Sequence, residues 1–204
     1  MKAVYRTLRR RLFPSPLAKA RHRGFEGDEY LAREVQKLIE RWQLQVIVET
    51  GTKRAATTAR LANMAGAVYT IEHNQDFLPA IERRLRKYPS VKVLLGDSAE
   101  QLSTEILPSL DQPALFYLDA HNGPESATLQ KELDALATWP LAVSSAYVIH
   151  DVRVPSKDFG HNGYRYEDLE PKITKMIPRH HHYYNQQVAG AARGVLFIEP
   201  DKSA

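Results

Sequence analysis

Apolar positions along this chain fall into two kinds of pattern, helical faces and short continuous runs, that alternate. Leu31, Val35, Leu38, Ile39 and Trp42 fall at i, i+4, i+7, i+8 and i+11, one continuous helical face. Asp28 and Glu29 stand in its first turn, where negative charge suits the helix dipole. Val46-Ile47-Val48 then reads as a β-branched strand, and the Ala-rich stretch Arg54–Ala65 as a helix. Ala67–Ile71 is a second strand, and Phe77, Leu78, Ile81, Leu85 and Tyr88 mark a second helical face. Val91–Leu95 is a third strand, followed by a short helix over Ala99–Ile106. Ala114–Leu118 is a fourth strand, Leu129, Leu133, Leu136 and Ala137 a helix, and Ala146–Ile149 a fifth strand. Leu169, Ile173, Met176 and Ile177 give the last helix. His181–Val188 and Val195–Glu199 read as two final strands joined through Gly190 and Gly194.

Strands alternating with helices imply an α/β domain whose parallel sheet is covered on both faces. The last two strands lack an intervening helix, so they pair antiparallel as a hairpin at the edge. The expectation is a doubly wound, mostly parallel seven-stranded sheet with a C-terminal antiparallel hairpin. The longest aperiodic stretch, Val152–Glu167, holds Gly160, Gly163, Tyr164 and Tyr166. A loop of that length in a compact domain often serves function, as a lid does.

Composition narrows the picture. The chain has 204 residues, 43% of them hydrophobic, enough for one domain with a substantial core. No apolar run is long enough to span a bilayer. With no cysteine, disulfides and thiolate chemistry are excluded. The net charge of +4 hides an asymmetry, because eight of the 28 basic side chains precede the first acid, Glu26. They are Lys2, Arg6, Arg9, Arg10, Arg11, Lys19, Arg21 and Arg23. The rest carries 20 basic against 24 acidic residues, so the body is mildly acidic. Residues 1–25 therefore read as a basic arm and 26–204 as a single domain. The acidic body argues against a nucleic-acid partner. The arm leaves open a peripheral membrane contact or an organelle-targeting role, on an otherwise cytoplasmic protein. Homo-oligomerisation is also open.

In a doubly wound sheet, ligands bind beyond the carboxyl ends of the strands. Here those ends are Glu49-Thr50-Gly51-Thr52, Glu72-His73-Asn74, Gly96-Asp97-Ser98, Asp119-Ala120-His121-Asn122 and His150-Asp151. Five successive strands thus end in acids or acid–histidine pairs. Carboxylates on one rim repel each other, which a cationic ligand or a metal ion would offset. Glu72, one βαβ unit beyond Glu49, is placed for both hydroxyls of a ribose. Asp97, one strand further, is placed for an adenine amino group. Neither a Gly-x-Gly-x-x-Gly fingerprint nor a phosphate-cradling Gly-Lys-Ser/Thr loop is present, so a pyrophosphate ligand is unsupported. His121 has the chemistry of a general base. The tract His180-His181-His182 enters a strand, where neighbours point to opposite faces, so the three cannot easily share one ion.

The runs Val46-Ile47-Val48-Glu49-Thr50-Gly51-Thr52, Tyr69-Thr70-Ile71-Glu72, Leu95-Gly96-Asp97-Ser98 and Phe116-Tyr117-Leu118-Asp119-Ala120-His121 resemble the class I S-adenosylmethionine-dependent methyltransferases. More narrowly, they resemble the metal-dependent small-molecule O-methyltransferases. The resemblance covers roughly residues 45–200 and implies a Rossmann-like methyltransferase fold. It implies S-adenosylmethionine as cofactor, with Glu49, Gly51 and Thr52 at the methionine part, Glu72 at the ribose, and Asp97 and Ser98 at the adenine. It implies Asp119 beside the methyl group and, with Asp151, as a ligand of Mg²⁺. His150 and His121 are the candidate proton acceptors.

Two positions depart from the pattern. Lys53, Arg54, Ala55 and Ala56 thin the glycine-rich loop, and His150 stands where many relatives carry an aspartate. The expected activity is methyl transfer to a hydroxyl of a small-molecule acceptor. The alternative is a non-catalytic adenosyl-binding or scaffold module docking through its basic arm.

Overall fold

The computed structural model describes residues 23–121, 126–155, 157, 163–187 and 194–201. Most of the basic arm, and Gly160 and Gly190, lie outside the described residues. The strands are β1 (Val46–Thr50), β2 (Ala67–Glu72), β3 (Val91–Leu95), β4 (Ala114–Leu118), β5 (Ala146–His150), β6 (His180–Tyr184) and β7 (Val195–Pro200). They form one sheet in the order β3-β2-β1-β4-β5-β7-β6. Neighbours among the first five are parallel, and β7 runs antiparallel between β5 and β6. The C-terminal hairpin therefore has β6 as the edge, with β7 inside the sheet.

Alternation along the central strands sorts side chains onto the two faces. Val46, Val48, Phe116, Tyr147, Ile149 and Ile198 pack with Leu129, Leu133, Leu169 and Ile173 on one face. Ile47, Val68, Leu115, Tyr117, Val148 and Phe197 pack with Leu31, Val35, Leu38 and Leu61 on the other. The helices on the first face are α4 (Ser98–Gln101), α5 (Thr128–Leu136) and α6 (Tyr166–Met176). Those on the second are α1 (Glu29–Trp42) and α2 (Ala56–Leu61). A third helix in chain order, α3 (Leu78–Leu85), packs Ile81 and Leu85 with Ala55.

Local rules set the boundaries of α1. Asp28 caps it, its Oδ1 accepting from the amides of Tyr30 at 2.9 Å and Leu31 at 3.1 Å. Gln43 closes it in the left-handed conformation.

Three expected elements differ. The helix expected over Arg54–Ala65 is confined to Ala56–Leu61, because Lys53 and Ala55 are left-handed and hold the preceding residues in a turn. The helix expected over Ala99–Ile106 begins at Ser98 and changes to a π-helical turn from Leu102. The strand expected from His181 begins at His180 and ends at Tyr184.

The folded body reaches into the sequence of the basic arm. Phe25 is 1% exposed and sets its ring edge-on to Tyr117, with centroids 5.7 Å apart. Its amide donates to Thr57 Oγ1 at 3.0 Å, and Arg60 lies over its ring. Phe25→Ala is therefore expected to lower unfolding stability by about 3 kcal/mol, measured by chemical denaturation.

Candidate functional site

The parallel strands bring the acidic residues to one rim, but they do not leave them as a pool of like charges. Glu49 is 1% exposed. Its Oε2 accepts from the hydroxyls of Thr58 on α2 and Thr70 on β2, and the Thr52 hydroxyl bonds Thr70 in turn at 2.6 Å. Burial pushes its pKa up to about 8, against the lowering effect of the two hydroxyls. Near neutral pH this carboxyl is protonated. It ties β1, β2, α2 and the intervening loop together beneath the surface.

That loop turns through three left-handed residues. Gly51, Lys53 and Ala55 all have positive φ, although only the first is glycine. Gly51 is required for a second reason. A Cβ there would lie 2.5 Å from the Asp119 carbonyl oxygen, so the loop and the end of β4 touch through backbone. The amide of Lys53 donates to Glu72 Oε2, and the amide of Asn74 donates to Glu72 Oε1 at 2.7 Å. Glu72, at the end of β2, is itself buried.

Asp97 is exposed and caps α4, its Oδ1 accepting from the Glu100 amide at 3.1 Å. Ser98 is buried, and its hydroxyl donates to Glu132 of α5. Glu132 is fully buried, with Oε2 left without a hydrogen-bond partner among the described residues. Burial lifts its pKa to about 7, opposed by the Ser98 hydroxyl. Sequence reasoning passed over Glu132. The signal was present, since a glutamate three residues after Leu129 and one before Leu133 falls on the apolar face of its helix.

The ends of β4 and β5 bring three chemical groups together. Ligand atoms of Asp119, His150 and Asp151 all lie within 4.8 Å of one another. His150 Nδ1 stands 3.1 Å from Asp151 Oδ1 and 3.5 Å from Asp119 Oδ1. Burial alone would depress the His150 pKa, but the two carboxylates outweigh it and hold it above the ordinary value. Asp119 is half-buried, and its carboxyl is raised by desolvation and by Asp151, with His150 opposing. Asp151 carries positive φ, which turns the chain sharply out of β5.

His121 lies beneath this cluster. It is 3% exposed, bonds the His150 carbonyl through Nε2 at 2.8 Å, and meets the ring of Tyr164 edge-on. Burial lowers its pKa, so it is neutral with the proton on Nε2. Tyr164 is buried and donates to the Ser126 carbonyl at 2.8 Å, which anchors its loop. The histidine tract does not join the site. Both ring nitrogens of His180 are engaged, by Ile177 O and the Tyr166 hydroxyl, and His182 stacks on Tyr166.

Beside the β1 loop lies a cavity of about 310 Å³, lined by Gly51, Thr52, Lys53, Arg54, Asp119 and, from the N-terminal turn, Glu26. No periodic element contains Glu26, and sequence reasoning placed no function there.

No protein-family model matches this chain. Solved structures superpose over nearly its whole length. The O-methyltransferase TomG from Streptomyces achromogenes, in complex with SAM, has a TM-score of 0.60 at 17% identity, covering 92% of this chain and 90% of its own. The O-methyltransferase from Bacillus cereus, in complex with SAH, has a TM-score of 0.59 at 17% identity, covering 98% and 97%. The chain has the class I methyltransferase fold. Among curated proteins, the ribosomal RNA small subunit methyltransferase A of Thermotoga maritima is 27% identical over 117 residues, 57% of this chain. That match spans 35% of the length of the Thermotoga maritima protein.

Within this methyltransferase fold, Glu49 and Glu132 give stability a definite pH dependence. Each keeps its proton in the folded state at pH values where the unfolded chain has released it. Their contribution is complete below 4.5, where an unperturbed glutamate titrates, and is lost as pH rises, through about 7 for Glu132 and about 8 for Glu49. Unfolding stability should therefore fall between those limits. Glu49→Gln and Glu132→Gln should each remove part of that slope, at about 1.4 kcal/mol per pH unit for a single group. Denaturation midpoints across pH 5 to about 8.5 measure it.

Proposed function

We propose that this chain transfers a methyl group from S-adenosylmethionine to a hydroxyl of a small-molecule acceptor. The observation that carries the reading is the cavity between the β1 loop and Asp119. It is floored by the Gly51–Asp119 backbone contact, with Glu72 buried at the end of the neighbouring strand. In-line displacement at a sulfonium needs little more than alignment, because the leaving group is already good. In this reading Glu72 receives the ribose hydroxyls and Asp97 the adenine amino group. Ser98, fixed by Glu132, sets the backbone of the adenine loop. Glu49 acts from below, holding the loop that carries Gly51 and Thr52.

Asp119 receives the acceptor's hydroxyl proton, since it is the half-exposed member of the cluster. His150, held between Asp119 and Asp151, balances the negative charge there. His121 fixes the His150 carbonyl and supports the end of β5.

The same three groups fit a divalent cation. Adjacent ligands of a six-coordinate ion with bonds of about 2.1 Å lie about 3 Å apart, close to the 3.1 and 3.5 Å from His150 Nδ1 to the two carboxylates. An imidazole nitrogen beside two carboxylates suits Mn²⁺, Fe²⁺ or Zn²⁺ better than Mg²⁺. When bound, such an ion supplies Lewis acidity that lowers the pKa of the acceptor hydroxyl.

Three measurements test the reading. S-adenosylhomocysteine titrated calorimetrically into the purified chain should bind in the micromolar range, and absence of binding removes the methyltransferase reading. Mn²⁺ titrated into the same sample should bind at least about tenfold more tightly than Mg²⁺. Asp119→Ala should abolish turnover, by about a hundredfold or more, while leaving S-adenosylhomocysteine affinity within a few-fold. Normal turnover of that variant would exclude Asp119 as the proton acceptor.

A further inference from the structure

The N-terminal turn Gly24–Gly27 precedes the sequence runs that resemble the methyltransferases, yet it lines one side of the proposed cofactor cavity. Phe25 and Glu26 have φ of 57° and 52°, and Gly27 has φ of 84°, so three successive residues are left-handed. For two non-glycine residues this costs about 1 kcal/mol each or more. The turn is held on both sides. Phe25 is locked into the core and to Thr57, and Gly24 packs so closely on α2 that a Cβ would lie 2.6 Å from the Ala56 carbonyl oxygen. The remaining side chain of the turn, Glu26, lines the cavity.

The charges around that cavity are of both signs. Glu26 and Asp119 contribute carboxylates, and Arg23, Lys53 and Arg54 contribute cations. The two carboxylates repel each other, and Glu26 is among the charges that raise Asp119. A cavity lined in this way matches a zwitterionic α-amino acid, whose ammonium and carboxylate groups need opposite partners on neighbouring walls. In the proposed cofactor, that zwitterion is the amino-acid tail. Glu72 is committed to the ribose end, and Asp119 to the acceptor.

We propose that Glu26 is the carboxylate that recognises the α-ammonium group of the cofactor's amino-acid tail, making the N-terminal turn part of the binding site. Lys53 and Arg54, on the facing loop, are the partners of the tail's carboxylate. This rests on the cofactor reading above and adds to it a residue that decides which adenosyl compounds bind.

The experiment compares two ligands that share the nucleoside and thioether and differ in the tail. S-adenosylhomocysteine carries the amino acid, and 5′-methylthioadenosine lacks it. Both are titrated into the full chain, unaltered and as Glu26→Gln and Glu26→Gly. Glu26→Gln should weaken S-adenosylhomocysteine about tenfold and leave 5′-methylthioadenosine within about twofold. Glu26→Gly should weaken S-adenosylhomocysteine similarly while raising the thermal midpoint, since glycine relieves the left-handed strain. Equal weakening of both ligands would make the turn merely structural and overturn the proposal. So would unchanged affinity for S-adenosylhomocysteine, or equal binding of the two ligands by the unaltered chain. If the unaltered chain binds neither, the cofactor reading falls and this inference falls with it.

Discussion

The buried carboxyl of Glu49 is the fixed point on which the rest of this rim depends. A strand-end acid would ordinarily face solvent, but here it is drawn inward by hydroxyls from Thr58 and Thr70. Those two residues come from α2 and β2, so one carboxyl sets how both elements sit against β1. The loop between β1 and α2 then has little freedom. It must leave β1 over the end of β4, where only glycine fits against the Asp119 carbonyl, and return to Thr58 within seven residues of Gly51. The left-handed conformations at Lys53 and Ala55 follow from that path, not from the intrinsic preference of either residue. A loop poor in glycine therefore takes left-handed conformations that glycine would adopt at lower cost.

The same logic resolves the acidic rim. Five strand ends carrying acids suggest a field that only an added cation could balance. The protein itself settles most of it. Glu49 is neutralised by burial, Glu72 accepts two backbone amides, and Asp97 caps a helix. What is left is concentrated in one place, where His150 stands between Asp119 and Asp151, and Glu26 and Asp119 line the same cavity. Charge is thus removed where it would only hinder folding and kept where the proposed chemistry uses it. The two carboxylates favour the protonated form of His150, which would offset part of their repulsion, so a metal is one way of completing the cluster and not a condition for its existence.

Much of this was legible in the sequence, and the misses have physical causes. Short apolar runs bounded by polar strand ends located the central strands, because burial of both sheet faces favours near-continuous apolar runs. The strand-end acids were legible as a group, but their individual fates were not, since Glu49, Glu72 and Asp97 differ only in which donors the fold brings to them. Glu132 was detectable as a charge on the apolar face of α5, although its partner Ser98 is 34 residues away. Glu26 had no periodic signal at all. Its position depends on the burial of Phe25 against Tyr117, a contact between residues too distant in sequence for any local pattern to encode.

The distribution of backbone strain ties these points together. Six non-glycine residues among those described have positive φ, and five of them, Phe25, Glu26, Lys53, Ala55 and Asp151, lie around the same rim. The sixth, Gln43, merely closes a helix. Strain scattered by chance would not collect at the ends of the strands that carry the polar cluster. Each left-handed residue costs on the order of 1 kcal/mol and persists only where packing over-determines it. That packing is visible for Phe25 in the core and for Ala55 against Ile81 and Leu85. The rim is thus held by the core beneath it in a shape its own residues would not choose. A site built this way is ordered before its ligand arrives, so less of the binding free energy is lost to ordering loops and more is available for alignment. For a reaction whose leaving group needs no activation, alignment is the main thing the protein has to supply.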